Sequence, residues 1–235
     1  MRRWQAVTSV LAGTSAAVRR RELGAQARRL LSELDIDLSA NTDRLSVPGE
    51  RGTLLVANHV SWLDIVAALA IEPVGFLAKR EMREWPVLGG VAVRCGTTFI
   101  DRDELRGLPF VVSDLTSLLL SGRSVLVFPE GTTWCGHCRS ADGLPGGVFR
   151  RAAFQAAIDA SALIRPVTFE YHQGGEPSTV ASFVGTDTLF TSLRRVVRAD
   201  GLGVRVTAQP AFAPDGDRRA LAARARMDVH QVAHV

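Results

Sequence analysis

Short apolar runs stand at positions 53–57, 74–78, 124–128, 163–169 and 204–208, separated by stretches with helical spacing. Runs this short predict mainly buried strands, as in a largely parallel sheet. In 108–121, Val111, Leu115, Leu118 and Leu119 share one face, Pro109 stands near the start and Gly122 just past the end, which predicts a helix with ordinary start and stop signals. Further helices are predicted over 147–160 and 217–232. Strand and helix in alternation imply an α/β fold, with a mostly parallel central sheet flanked by helices. No internal repeat is visible, and the one loop-rich stretch is 136–147.

The first forty residues read differently. Arg2, Arg3, Arg19, Arg20, Arg21, Arg28 and Arg29 stand against the single acid Glu22 within the first thirty positions and flank a mildly apolar stretch, 4–18. That stretch is too short and too rich in Ser and Thr to span a bilayer, and it lacks the Leu-rich centre and cleavage site of a signal peptide. Trp4, Val7, Leu11 and Val18 recur near helical spacing. This amphipathic helical segment either lies in a membrane surface, with its Arg groups on anionic lipid, or packs on its own domain. The expected organisation is residues 1–40 as an N-terminal helical, membrane-surface segment and 41–235 as the α/β domain, peripheral on the cytoplasmic face of the membrane.

Composition narrows the partners. With 235 residues and 46% hydrophobic content the chain can bury a sizeable core, so wholesale disorder is excluded. The formal charge is +4 and the pI about 9.6, but of 28 cationic side chains only Lys79 is a lysine, so no single Arg pair carries much weight. Aromatic content is 6% and no basic run is interleaved with aromatic residues, which argues against nucleic acid. Three cysteines, Cys95, Cys135 and Cys138, are too few and odd in number for a secreted disulfide framework and favour a reducing compartment.

The candidate chemistry begins at Asn58-His59-Val60-Ser61-Trp62-Leu63-Asp64. On one straight helix His59 and Asp64 would lie about 140° apart. They come together instead if the strand 53–57 ends, Asn58 and His59 form a turn, and Ser61-x-x-Asp64 opens a helix as a capping box. His59 then stands at the carboxyl end of a strand, where α/β sheets place ligands, with Asp64 in the first helical turn. An Asp holding one imidazole nitrogen leaves the other free as a base, the division of labour that activates a hydroxyl. From spacing alone a plain helix cap beside a turn histidine is the commoner reading, since capping boxes are frequent.

Three more blocks follow: Gly96-Thr97-Thr98-Phe99-Ile100-Asp101-Arg102, Phe128-Pro129-Glu130-Gly131-Thr132, and Ile164-Arg165-Pro166-Val167-Thr168. Read as residues, Arg102 suits either a phosphate or a salt bridge with neighbouring acids, and Glu130-Gly131 either an anion-binding turn or a plain tight turn. Pro166 marks a strand edge or end. Together and in this order, the four blocks resemble the signatures of the 1-acylglycerol-3-phosphate acyltransferase family over about residues 50–170. The resemblance implies that His59 and Asp64 are catalytic. It implies that Arg102, Glu130, Gly131 and Thr132 serve the acceptor, that Lys79, with Arg80, meets phosphate, and that Pro166 helps shape the pocket. It also implies an acyl-CoA or acyl carrier protein thioester as donor and a lysophospholipid as acceptor, first 1-acylglycerol 3-phosphate giving phosphatidic acid. The family continues with Arg after the Thr of block three, whereas this chain has Thr133 and Trp134, so a lyso-ornithine lipid acceptor is the alternative.

No metal or redox cofactor is expected, because a thioester is already activated. No Gly-x-Ser-x-Gly elbow points to a serine hydrolase. The rival classes are a noncatalytic lipid-binding protein at the membrane surface and a soluble hydrolase. In Cys135-Gly136-His137-Cys138 the spacing offers two thiolates, but no second pair completes a zinc set, so free thiols in a loop are expected.

Overall fold

A computed structural model describes residues 20–79, 98–100, 108–136, 138–143 and 145–230. The stretch 4–18, Arg102, His137 and Cys95 therefore lie outside the described residues. The chain runs α1 (Arg20–Glu33), β1 (Asp37–Ala40), β2 (Leu54–Ala57), α2 (Leu63–Ile71), β3 (Gly75–Lys79), β4 (Thr98–Ile100), α3 (Leu108–Leu120), β5 (Val125–Val127), α4 (Ala152–Ala160), β6 (Ile164–Gln173), β7 (Glu176–Pro177), α5 (Leu189–Arg198), β8 (Leu202–Ala208) and α6 (Arg218–His230).

The strands form one eight-stranded sheet in the order β1-β8-β6-β2-β5-β3-β4, with β7 beside the end of β6. Pairing is parallel from β6 through β4 and between β1 and β8, and antiparallel where β6 meets β8 and β7. The expected mostly parallel α/β sheet is what forms. β2 explains why: all four of its residues are 0% exposed, Leu54 and Val56 facing one layer and Leu55 and Ala57 the other. A strand buried on both faces needs apolar side chains at both parities, which is the unbroken run seen in the sequence.

Two helical layers supply the cover. Leu115 and Leu119 of α3, Ala153 to Ala160 of α4, and Leu221, Ala225 and Val229 of α6 pack on Leu54, Val56, Val125 and Val127. On the opposite face, α1, α2 and α5 pack on Leu55, Ala57, Leu126, Val167 and Phe169. In α1 the buried residues Leu23, Ala27 and Leu31 repeat every four positions and point at α2, and the Arg28 guanidinium donates to the Ala70 carbonyl at 2.6 Å. Residues 37–40 then join the sheet as β1 beside β8. The described part of the first forty residues thus shares the sheet and the core layer that holds α2 and α5.

Boundaries depart from expectation for local reasons. The helix foreseen over 147–160 begins only at Ala152, because the amides of Gly147 and Arg150 are spent on Glu130 and on the Pro129 carbonyl. β6 runs on to Gln173, since β8 offers it a ladder past Phe169. Pro166 sits inside β6, opposite Val56. Its carbonyl accepts from Gln209, just past the end of β8, so its missing N–H faces a place where no strand continues.

Candidate active site

β2 delivers its last residue, Ala57, into a turn, and Asn58 fastens that turn to β6: its Nδ2 donates to the Phe169 carbonyl at 2.9 Å while its Oδ1 accepts the Phe169 N–H at 2.8 Å. His59 follows. Its Nδ1 lies 2.8 Å from Asp64 Oδ2, and its ring stacks on Phe128 at 4.0 Å and 17°. The side chain retains 20% exposure, whereas Asp64 has none. A carboxylate on Nδ1 fixes the hydrogen there, which leaves Nε2 with its lone pair free.

Asp64 occupies the first turn of α2, but the cap differs from the expected box. The helix opens at Leu63, with Trp62 at the cap and no side-chain bond from it. Ser61 Oγ accepts from the Leu63 amide at 3.3 Å rather than from Asp64, and only the reverse half of the box is present, Asp64 Oδ2 accepting the Ser61 amide at 3.0 Å. The same oxygen takes the Val60 amide at 2.8 Å, and Oδ1 accepts the Tyr171 hydroxyl at 2.6 Å. Four donors therefore converge on a buried carboxyl group, the pattern a carboxylate requires. Burial, and after it the charge of Asp64, holds the Tyr171 phenol well above its ordinary range, so Tyr171 remains a donor.

Glu130 enters from the turn after β5. It is 6% exposed, with Oε2 accepting the His59 amide and Oε1 the Gly147 amide, each at 2.8 Å. Burial pushes its pKa up to about 7 against those two N–H groups, which pull it down. His230, at the end of α6, places Nε2 3.7 Å from Oε1, and burial pushes that imidazole down to about 4. Near neutral pH this contact is therefore not an ion pair, since the imidazole is uncharged. Gly131 turns at φ +80° against the Arg150 guanidinium, and a Cβ there would come within 2.7 Å of Nε. Thr132 is exposed.

His59, Asp64, Glu130 and Gly131 are thus brought to one end of the sheet, where the parallel strands β2 and β5 finish. Lys79 closes β3 opposite Ile100 of β4, at the same end of its strand. Arg165 is committed elsewhere, to the carbonyls of Gln209 and Leu45. The expected free thiols are not found at Cys135 and Cys138, which form a disulfide with Cα atoms 5.6 Å apart. The sequence reading missed Tyr171, Phe128 and His230. A signal existed for Tyr171: it continues the inward-facing positions Val167 and Phe169 of β6 and is the only tyrosine in the chain, a buried hydroxyl in need of a partner.

Residues 40–170, over half the chain and spanning all four blocks, match the Acyltransferase family. The chain belongs to the acyltransferase family. This acyltransferase is 37% identical to the 1-acyl-sn-glycerol-3-phosphate acyltransferase of Neisseria meningitidis serogroup B over 185 residues, 79% of this chain and 68% of that one. It is 35% identical to the lyso-ornithine lipid O-acyltransferase of Pseudomonas aeruginosa, over 75% of this chain and 66% of that one. In fold, the acyltransferase is like the crystal structure of the 1-acyl-sn-glycerophosphate acyltransferase from Thermotoga maritima, with a TM-score of 0.61 and 18% identity over 97% of this chain and 88% of that one. Among the described residues of the acyltransferase no helix is long and apolar enough to cross a membrane.

Proposed function

We propose that the enzyme moves a fatty acyl group from acyl-CoA or acyl carrier protein to the free hydroxyl of a lysophospholipid, 1-acylglycerol 3-phosphate first, giving phosphatidic acid. The observation that carries this reading is the His59–Asp64 pair, with Nδ1 held at 2.8 Å and the partly exposed ring left with a free Nε2. Nε2 takes the proton of the acceptor hydroxyl as its oxygen attacks the thioester carbonyl. The tetrahedral intermediate collapses, the carbon–sulfur bond breaks, and the departing thiolate takes the proton back from His59. No acyl-enzyme, metal or redox cofactor is needed in this scheme.

In the same reading, Lys79 and Arg102 meet the acceptor headgroup, Gly131 and Thr132 line the turn beside it, and Pro166 helps shape the pocket wall. Glu130, which resemblance alone would place on the acceptor, has both oxygens on backbone amides. Those bonds fix the backbone of His59, and the remaining lone pairs of the carboxyl group serve the acceptor beside Gly131 and Thr132. The lipid substrate and the arginines of the first thirty residues favour a working position at an anionic membrane surface, on the cytoplasmic face.

A lyso-ornithine lipid is the second acceptor reading, supported by Thr133 and Trp134 standing where an Arg would serve phosphate, and by relatives of that name. A panel of lysolipids with one labelled acyl-CoA tests both. Lysophosphatidic acid should turn over fastest in an acceptor-dependent release of thiol. His59→Ala should lower kcat by about 10²-fold or more while the circular dichroism spectrum is retained. An inert lysophosphatidic acid beside a reactive second lysolipid overturns the phosphatidate reading, and full turnover by His59→Ala overturns the base. A lipid-binding protein without catalysis would bind lysolipid and release no thiol.

A further inference from the structure

The segment from Gly131 to Gly147 plays no part in proton transfer, yet it lies against the catalytic turn and carries the Cys135–Cys138 disulfide. We propose that this pair is a thiol–disulfide exchange site, with a dithiol as its reductant, and that its state sets the rate at the neighbouring His59.

Three observations converge. The two cysteines are three positions apart, so the bond closes a very short loop and removes little entropy from the unfolded chain. It is a poor staple for the fold as a whole, and two residues between cysteines is the spacing of redox-active pairs. Cys138 is exposed and Cys135 half-buried, which leaves the Cys138 end of the bond open to an attacking thiolate. Finally, the residues leading into the ring are stitched to the catalytic turn. The Trp134 amide donates to the His59 carbonyl at 2.7 Å, and the Thr133 hydroxyl donates to the Phe183 carbonyl. The Phe183 amide in turn reaches the Val60 carbonyl at 2.9 Å, and the Ser182 hydroxyl donates to the Cys135 carbonyl at 2.9 Å. The far side of the segment is anchored separately, by Arg226 on Asp142 at 2.6 Å. A covalent ring inserted between two anchored stretches limits how far the Trp134 end can move.

In the exchange, a thiolate of the dithiol attacks Sγ of Cys138 and displaces the Cys135 thiolate. The second thiol of the reagent then attacks its own sulfur in the mixed disulfide and releases Cys138. Two electrons and two protons pass to the protein, and the reagent leaves as a cyclic disulfide. Opening the ring frees Cys135 from Cys138 and loosens the Trp134 bond to the His59 carbonyl, so the reduced enzyme is the slower one. This link to rate rests on the proposed acyl transfer, whereas the exchange itself does not.

The test uses the full chain with Cys95→Ser, so that the pair supplies every thiol, first oxidised with glutathione disulfide and then titrated with dithiothreitol. Alkylation followed by peptide mass mapping should show two new modified positions, Cys135 and Cys138, with circular dichroism unchanged. Over the same titration kcat should fall by about fivefold or more, the low end of ordinary coupling between sites, and recover on reoxidation. The Cys135→Ser/Cys138→Ser variant should run at the reduced rate and ignore the titration. A pair that resists dithiothreitol in the folded enzyme overturns the exchange site, and equal kcat in both states overturns the link to His59. A chain inactive in both states fails the proposed reaction and the rate link together, while the alkylation pattern still decides the exchange.

Discussion

At the scale of single residues, Asp64 governs the site. Its oxygens take the His59 ring, two backbone amides and the Tyr171 hydroxyl, and Asp64 itself has no contact with solvent. Orientation of the His59 ring is therefore inherited from a carboxyl group that is itself held at three further points. Tyr171→Phe removes one donor and leaves Oδ1 buried with nothing to accept. The expected loss is about 1.5–3 kcal/mol of stability in urea unfolding, together with a lower kcat, since a buried charge loses a hydrogen bond. An unchanged unfolding midpoint would show that the fourth donor is dispensable. His59 and Asp64 were legible in the sequence because five positions can be bridged by one turn and one helical start. Tyr171 was not, because it reaches Asp64 across 107 positions and only the alignment of β6 with β2 brings the two together.

At the scale of elements, buried strands were the most legible feature and the edges the least. β2 and β5 announce themselves by apolar residues at both parities. β1, with the sequence Asp37-Leu38-Ser39-Ala40 and a mostly exposed surface, alternates over only four residues, too few to mark a strand, and it is a strand because β8 lies alongside it. α1 was foreseen only as part of an amphipathic segment, and the sequence could not say whether lipid or protein covers its apolar face. For residues 23 to 34 the cover is α2 and the sheet. A chain that starts after Ala40 therefore loses Leu23, Ala27, Leu31, Leu34 and Ile36 from the core and leaves β8 as a bare edge. Such a truncation should abolish cooperative thermal unfolding, or yield only aggregated protein. A truncated chain that melted at the full chain's temperature would show residues 1–40 to be a separable unit.

At the scale of the whole molecule, Glu130 ties three distant stretches together: its own turn, the His59 backbone and Gly147, with the end of α6 alongside. The two titrating groups here act in opposite senses on stability. Glu130, raised to about 7, binds more protons folded than unfolded between about 4.5 and 7, so its contribution is fully present at low pH and is lost as pH rises through that window. His230, lowered to about 4, binds fewer protons folded than unfolded between about 4 and 6.5, so its contribution grows as pH rises. Where the windows overlap they offset each other. Glu130→Gln should leave the His230 slope uncovered, so that denaturant midpoints rise more steeply from pH 4.5 to 6.5 than in the parent; parallel curves would refute the opposition. None of this could be read from sequence, where Glu130 and His230 stand a hundred positions apart and the second carries no motif. Their proximity also has a consequence in time. The ribosome makes His59, Asp64, Glu130 and Tyr171 well before α6, whose last turn adjoins Glu130 and whose Val229 carbonyl receives the Thr168 hydroxyl at 2.5 Å. A growing chain thus holds His59, Asp64, Glu130 and Tyr171 while the wall behind them is still missing, and it cannot acquire its finished site before α6 has left the exit tunnel.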